Sequence, residues 1–239
     1  MKNNHIALFT GGTGGHVIPA VNFGNHLINT GYKCTLFLDK RGFQYADKFK
    51  GKVIFVSSAH FSGNILFKLC SLFFLAYGLI QSLYQLFKIR PSHCFGFGSY
   101  ASSMPLIVAL VLKKLKLTKI HLHEQNSIIG KVNLFFASFA DNIFINYGYI
   151  LNLKPQYVNK THHVGMPNNA EIIYKKRNNR IHNKNNTKIL IYGGSQGSLN
   201  LINGFLKIIK KLPNSYFKKL KILAQCPNDQ RSNIEVELN

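Results

Sequence analysis

Three short glycine-rich stretches hold most of the residues through which this chain could do chemistry: Gly11-Gly12-Thr13-Gly14-Gly15-His16, Gly96-Phe97-Gly98-Ser99-Tyr100 and Gly193-Gly194-Ser195-Gln196-Gly197. Each lies between an apolar run of strand length and a helical pattern. Backbone N–H groups and the positive end of a helix meet at such a turn, which suits a phosphate or diphosphate. None has the spacing of a dinucleotide fingerprint or a P-loop. No pair of aspartates one residue apart is present to hold a diphosphate through a metal. Neutralising a leaving diphosphate therefore falls to helix ends and basic side chains. Cys34, Cys70, Cys94 and Cys226 lie far apart and form no zinc spacing, so they read as reduced thiols, and neither metal nor cofactor is expected.

The elements that must carry these turns alternate. Ile6 to Phe9 reads as a buried strand, Ile18 to Thr30 as a helix, and Lys33 to Leu38 and Val53 to Val56 as strands. A long helix follows over Ile65 to Ile89, then a helix from Pro105 to Lys114, a strand from Lys119 to His123, a helix over Ile128 to Ala140 and a strand from Asn142 to Ile145. This alternation predicts an α/β fold, a doubly wound parallel sheet with ligands at the carboxyl ends of its strands. Lys175 to Thr187 is polar and basic with almost no apolar anchor, which places a domain boundary there. Beyond it, a strand (Lys188 to Tyr192), the third glycine turn, a helix (Leu199 to Lys211) and a strand (Lys221 to Gln225) open a second domain like the first. The expected division is 1–167, a linker at 168–187, and 188–239 as the start of an incomplete second domain.

A formal charge of +22 beside 46% hydrophobic residues describes a globular protein with a basic skin and excludes a globally disordered chain. Stretches rich in Asn and Lys account for much of the excess. The remainder, with clusters at Lys113–Lys119 and Lys207–Lys221, suits an anionic membrane face better than nucleic acid, for which no binding motif is present. The apolar run after Met1 ends at a glycine before reaching the ~7–15 residues of a signal core, so the protein is expected to stay in the cytoplasm. Ile65 to Phe87 approaches the length of a membrane span. Its Ser71, Gln81, Ser82 and Gln85 lean to one side, and Pro91 stops it before another strand, which favours a peripheral helix with part of its apolar surface exposed.

The glycine turns, with Pro19-Ala20 after the first and with His123-Glu124-Gln125-Asn126, resemble the MurG family in the same order along essentially the whole chain. The resemblance implies two Rossmann-like domains of GT-B type and an inverting hexosyltransferase of peptidoglycan synthesis. Such an enzyme moves N-acetylglucosamine from UDP-GlcNAc to the undecaprenyl-diphosphate muramyl-pentapeptide, lipid I, giving lipid II at the cytoplasmic face of the plasma membrane, to which it binds peripherally. By the same match, His16 and Glu124 are the catalytic candidates, and Glu124 is alternatively a residue that orders its loop. Thr13, Gly14 and Gly15 line the cleft, Tyr100 meets the acceptor, Asn126 the donor sugar and Ser195 the UDP diphosphate. The chain departs from the family at Ser99, where a glycine is usual, at Ser103-Met104, and after Gly165-Met166-Pro167, where a donor-binding arginine is replaced by Asn168-Asn169. A rival expectation is an inactive or split remnant that binds the lipid-diphosphate acceptor and needs a separate donor domain.

Overall fold

The computed structural model describes residues 4–59, 64–168, 187–194, 198–209, 211, 213 and 220–226. The chain divides into two compact units, residues 1–173 and 174–239. Unit 1 runs β1 (His5–Phe9), α1 (Gly14–Asn29), β2 (Lys33–Leu38), β3 (Lys52–Phe55), α2 (Ile65–Ile89), β4 (His93–Gly96), α3 (Ser103–Lys114), β5 (Lys119–Glu124), α4 (Lys131–Phe136), β6 (Asn142–Ile145) and β7 (Thr161–His163). Its seven strands form one parallel sheet in the order β3-β2-β1-β4-β5-β6-β7. Strand order reverses between β1 and β4, so their following loops diverge and leave a crevice at the carboxyl edge.

The strands are apolar on both faces because both are covered. On β1, Ala7 and Phe9 join one core with Phe37, Leu86, Leu106, Leu112 and Leu122, beneath α2 and α3. Ile6 and Leu8 join the other with Val17, Ala20, Leu36 and Leu38, beneath α1. The period of two sends neighbours to opposite cores, and each fully buried large side chain contributes about 1.5–3 kcal/mol.

Helix α2 packs the opposite way from an ordinary surface helix. Ser71, Gly78, Ser82 and Leu86 face inward, whereas Leu72, Phe73, Phe74, Tyr77, Ile80 and Tyr84 are exposed. The small inner face is required by contact: a Cβ on Gly78 would overlap the Ser57 carbonyl, and Gln81 Oε1 accepts from the Ser57 amide at 2.9 Å. Ser57 follows the end of β3, so Gly78 and Gln81 of α2 sit at the carboxyl edge of the sheet. By length and composition, Cys70–Ile89 could cross a membrane.

Unit 2 pairs β8 (Thr187–Ile191) in parallel with β9 (Leu220–Ala224) and adds α5 (Leu199–Ile209), which buries Ile202, Leu206 and Ile209 on one face. Two helices differ from the sequence expectation by more than two residues. Helix α1 starts at Gly14, four residues before Ile18, and keeps Pro19 inside it at the cost of one helical hydrogen bond; His16 is thus a helical first-turn residue. Helix α4 covers only Lys131–Phe136, since Gly130 donates its N–H to a side chain and Ile128 bridges Leu151. All four cysteines are free thiols.

Candidate active site

The β1 loop is shaped by a carboxylate. Asp39, just past β2 and 4% exposed, accepts from the Gly12 amide at 2.8 Å and the Gly42 amide at 3.0 Å. Its other oxygen receives Arg41 Nε at 3.0 Å. A Cβ on Gly11 would stand 2.6 Å from Ala101 Cβ and 2.7 Å from Asp39 Oδ1, and Gly12 has φ +75°. Only glycine fits this close approach. The loop so held delivers Thr13 as N-cap of α1, without a side-chain cap bond, and then Gly14, Gly15 and His16. By helix geometry, the Gly14 and Gly15 amides have no intrahelical acceptor.

Across the crevice, Gly98 (φ +77°) comes close enough to the His16 ring that a Cβ there would lie 3.3 Å from its Cε1 and Nδ1. Ser99 follows at φ +71°, a conformation that costs a non-glycine residue about 1 kcal/mol or more. Its Oγ is buried without a partner. Tyr100, 40% exposed, opens the next turn.

The third wall follows β5. Glu124 is 1% exposed and fully engaged: Oε1 accepts from the backbone and side-chain N–H groups of Asn126, both at 3.0 Å. Oε2 accepts from Gly130 N and Asn133 Nδ2, both at 2.9 Å. Four donors around one carboxylate make a loop clamp. This geometry favours the loop-ordering alternative for Glu124 over the base. Asn126 is exposed, its amide nitrogen directed back to Glu124. Between these walls lies a cavity of about 190 Å³ bordered by His16, Ser99, Tyr100, Glu124, Asn126 and Asn133.

His16 Nδ1 lies 2.8 Å from Gln125 Oε1. Burial lowers the pKa of His123, beneath Gln125, so this ring stays neutral. A second, more apolar cavity of about 370 Å³ lies against His123, with Phe23, Phe95, Phe97 and Phe144 among its walls.

The structure thus brings together His16, Tyr100, Glu124 and Asn126, and places Thr13, Gly14 and Gly15 immediately before His16. Ser195 lies outside the described residues and in the other unit. Sequence reasoning missed Asp39, Gln125 and Asn133. Gln125 stood inside a quoted motif, but Asp39 and Asn133 reach the site only through tertiary structure. Lys113 of the expected cationic cluster is paired with Asp141 at 2.9 Å and donates to the Phe139 carbonyl, and Lys119 begins β5 at the opposite, amino edge of the sheet. Among the described residues no group of three His, Cys, Asp or Glu could hold a metal ion.

Residues 6–145 match the glycosyltransferase family 28 N-terminal domain. A UDP-N-acetylglucosamine--N-acetylmuramyl-(pentapeptide) pyrophosphoryl-undecaprenol N-acetylglucosamine transferase of Paramagnetospirillum magneticum is 33% identical over 94% of this chain and 61% of its own length. The protein of the same name from Rickettsia felis is 34% identical over 96% of this chain and 64% of its own length. The chain therefore spans a little under two thirds of these curated relatives. Among solved structures, Acinetobacter baumannii MurG superposes with a TM-score of 0.68 at 19% identity, covering 98% of this chain and 61% of that one. The calicheamicin glycosyltransferase CalG4 gives 0.60 at 10%, over 95% of this chain and 71% of its own. At such identities the likeness is one of fold, the α/β Rossmann-like architecture of GT-B glycosyltransferases.

Proposed function

Since this chain belongs to glycosyltransferase family 28, we propose that it forms the acceptor-binding part of an inverting transferase that moves N-acetylglucosamine from UDP-GlcNAc to the C4 hydroxyl of lipid I. The observation that carries this reading is the His16 cavity: a histidine on the first turn of a glycine-loop helix, beside a pocket whose other walls are held rigid by Asp39 and Glu124. His16 accepts the hydroxyl proton as the oxygen attacks C1 of the donor sugar, and the C1–O bond to UDP breaks on the opposite face. Charge moves onto the leaving diphosphate, which suits helix amino ends such as that of α1. Tyr100 and Asn126 border the same cavity, where they can position the sugars. The test is turnover in a version extended to the length of its relatives. His16→Ala lowers kcat on the order of a hundredfold or more with circular dichroism unchanged; equal turnover removes His16 from the chemistry.

A lipid acceptor also requires a membrane-facing surface, and the exposed rings of α2 support one. The apolar half of that helix stands at the same edge of the sheet as the His16 cavity. We infer peripheral binding to anionic bilayers at the cytoplasmic face. Cosedimentation with anionic and neutral vesicles at low and high salt tests it. Salt-sensitive binding that favours anionic vesicles is expected, whereas equal binding to both, or none, overturns it, and resistance to alkaline carbonate points to a spanning helix.

A further inference from the structure

We propose that Gln125 is a positioning residue that holds His16 in the Nδ1–H tautomer and thereby leaves the proton-accepting lone pair on Nε2; this deepens, and rests on, the reading of His16 as the base. Two backbone carbonyls settle the direction of every hydrogen bond in the row. The Gly165 carbonyl can only accept, so His123 Nε2 carries a hydrogen and donates to it at 3.1 Å. His123 Nδ1 is then an acceptor and receives Gln125 Nε2–H at 3.1 Å. Independently, the His123 carbonyl receives the same amide nitrogen at 3.0 Å. Both require Gln125 to present Oε1, not its nitrogen, to His16, and His16 Nδ1 must therefore donate across the 2.8 Å contact.

The row is rigid. Gln125 and His123 are 5% and 3% exposed, and Asn133, 1% exposed, adds a second donor to the His123 carbonyl at 3.1 Å. Reversing the Gln125 amide would set an oxygen against the His123 carbonyl and against the His123 nitrogen that needs a hydrogen. The missing Cβ of Gly98 leaves room for the His16 ring close against the loop.

The test is a long-range ¹H–¹⁵N correlation spectrum of the 239-residue chain labelled at histidine nitrogen, recorded with the rings neutral and with His16 signals assigned by their loss in His16→Gln. The expected pattern is Nδ1–H for His16 and Nε2–H for His123. In Gln125→Leu, His16 moves toward the Nε2–H form that an unconstrained imidazole prefers, while His123 stays Nε2–H. An Nε2–H pattern for His16 in the unsubstituted chain, or an unchanged pattern in Gln125→Leu, overturns the proposal. If Gln125→Leu does not fold, Gln125→Met takes its place with the same two outcomes. Turnover in the extended enzyme separates this inference from the one beneath it: with the tautomer lost, kcat falls about tenfold or more with KM little changed. A tautomer confirmed in the spectrum with kcat untouched by its loss would instead remove His16 as base.

Discussion

Asp39 and Glu124 stand on opposite sides of one crevice, each nearly without solvent contact and each accepting backbone N–H groups from a loop, yet they are stabilised differently. Asp39 shares its charge with Arg41, whose side chain is 56% exposed, and has Ser58 Oγ at 3.4 Å. Glu124 has no ion pair among the described residues, and its charge is met by four neutral donors from Asn126, Gly130 and Asn133. The β2 side can therefore draw on water through its arginine when disturbed, whereas the β5 side has no reserve. A carboxylate compensated only by fixed dipoles depends on all of them staying in place.

Removing the carboxylates is the most severe test of that contrast. Glu124→Ala leaves four donors without their acceptor, that of Asn133 buried, and is expected to cost about 3–5 kcal/mol in urea unfolding, with Glu124→Gln losing less because one oxygen remains. A smaller loss than for Asp39→Ala would reverse the contrast. Acid comes next. Burial first, then the neighbouring His93, hold the His121 pKa down to about 4, and burial lowers that of His123; both rings lie on β5, and β2 carries none. The unfolded chain binds protons near pH 6.5 that the native β5 refuses, so stability is full above about pH 6.5 and falls as pH drops toward 4. His121 alone accounts for up to about 3 kcal/mol across that window at ~1.4 kcal/mol per pH unit. Unfolding midpoints measured from pH 7.5 to 4.5 should show this slope, and His121→Phe should flatten it. Asp39→Asn keeps one acceptor oxygen for the Gly12 and Gly42 amides and is expected to cost only about 1–2 kcal/mol. Arg41→Gln, at the exposed end of the ion pair, should change stability by about 0.5 kcal/mol or less; a larger loss would show that the arginine is structural and that the β2 side has no solvent reserve either.

Much of this molecule is readable from its residues. The strand and helix alternation and the first two glycine turns follow from period and punctuation, and the grouping of His16, Tyr100, Glu124 and Asn126 is what the family resemblance implies. What escaped reading is what only three-dimensional packing supplies. Asp39 has no local pattern that marks it as the clamp of a loop 27 residues earlier. The start of α4 at Lys131 rather than Ile128 reflects capture of the Gly130 amide by a carboxylate, which a helical pattern over Ile128–Ala140 cannot show. Strand β7 is three residues long and completes the sheet by pairing with β6, with no apolar run of its own. In α2 the apolar and small faces were both visible, but not which of them the rest of the protein would cover.

That inverted helix separates two properties that usually change together. On most helices a substitution that makes the surface more water-compatible leaves the core alone, and one that alters the apolar stripe weakens the fold. Here a large apolar stripe lies on the surface: Phe73, Ile80 and Tyr84 are 71%, 63% and 64% exposed, while Gly78, Ser82 and Leu86 are the packed residues. Replacing the rings with Gln or Lys should make the chain easier to keep dispersed in water without loosening it. The mild exchange Gly78→Ala, by contrast, is the one that breaks the seat of the helix.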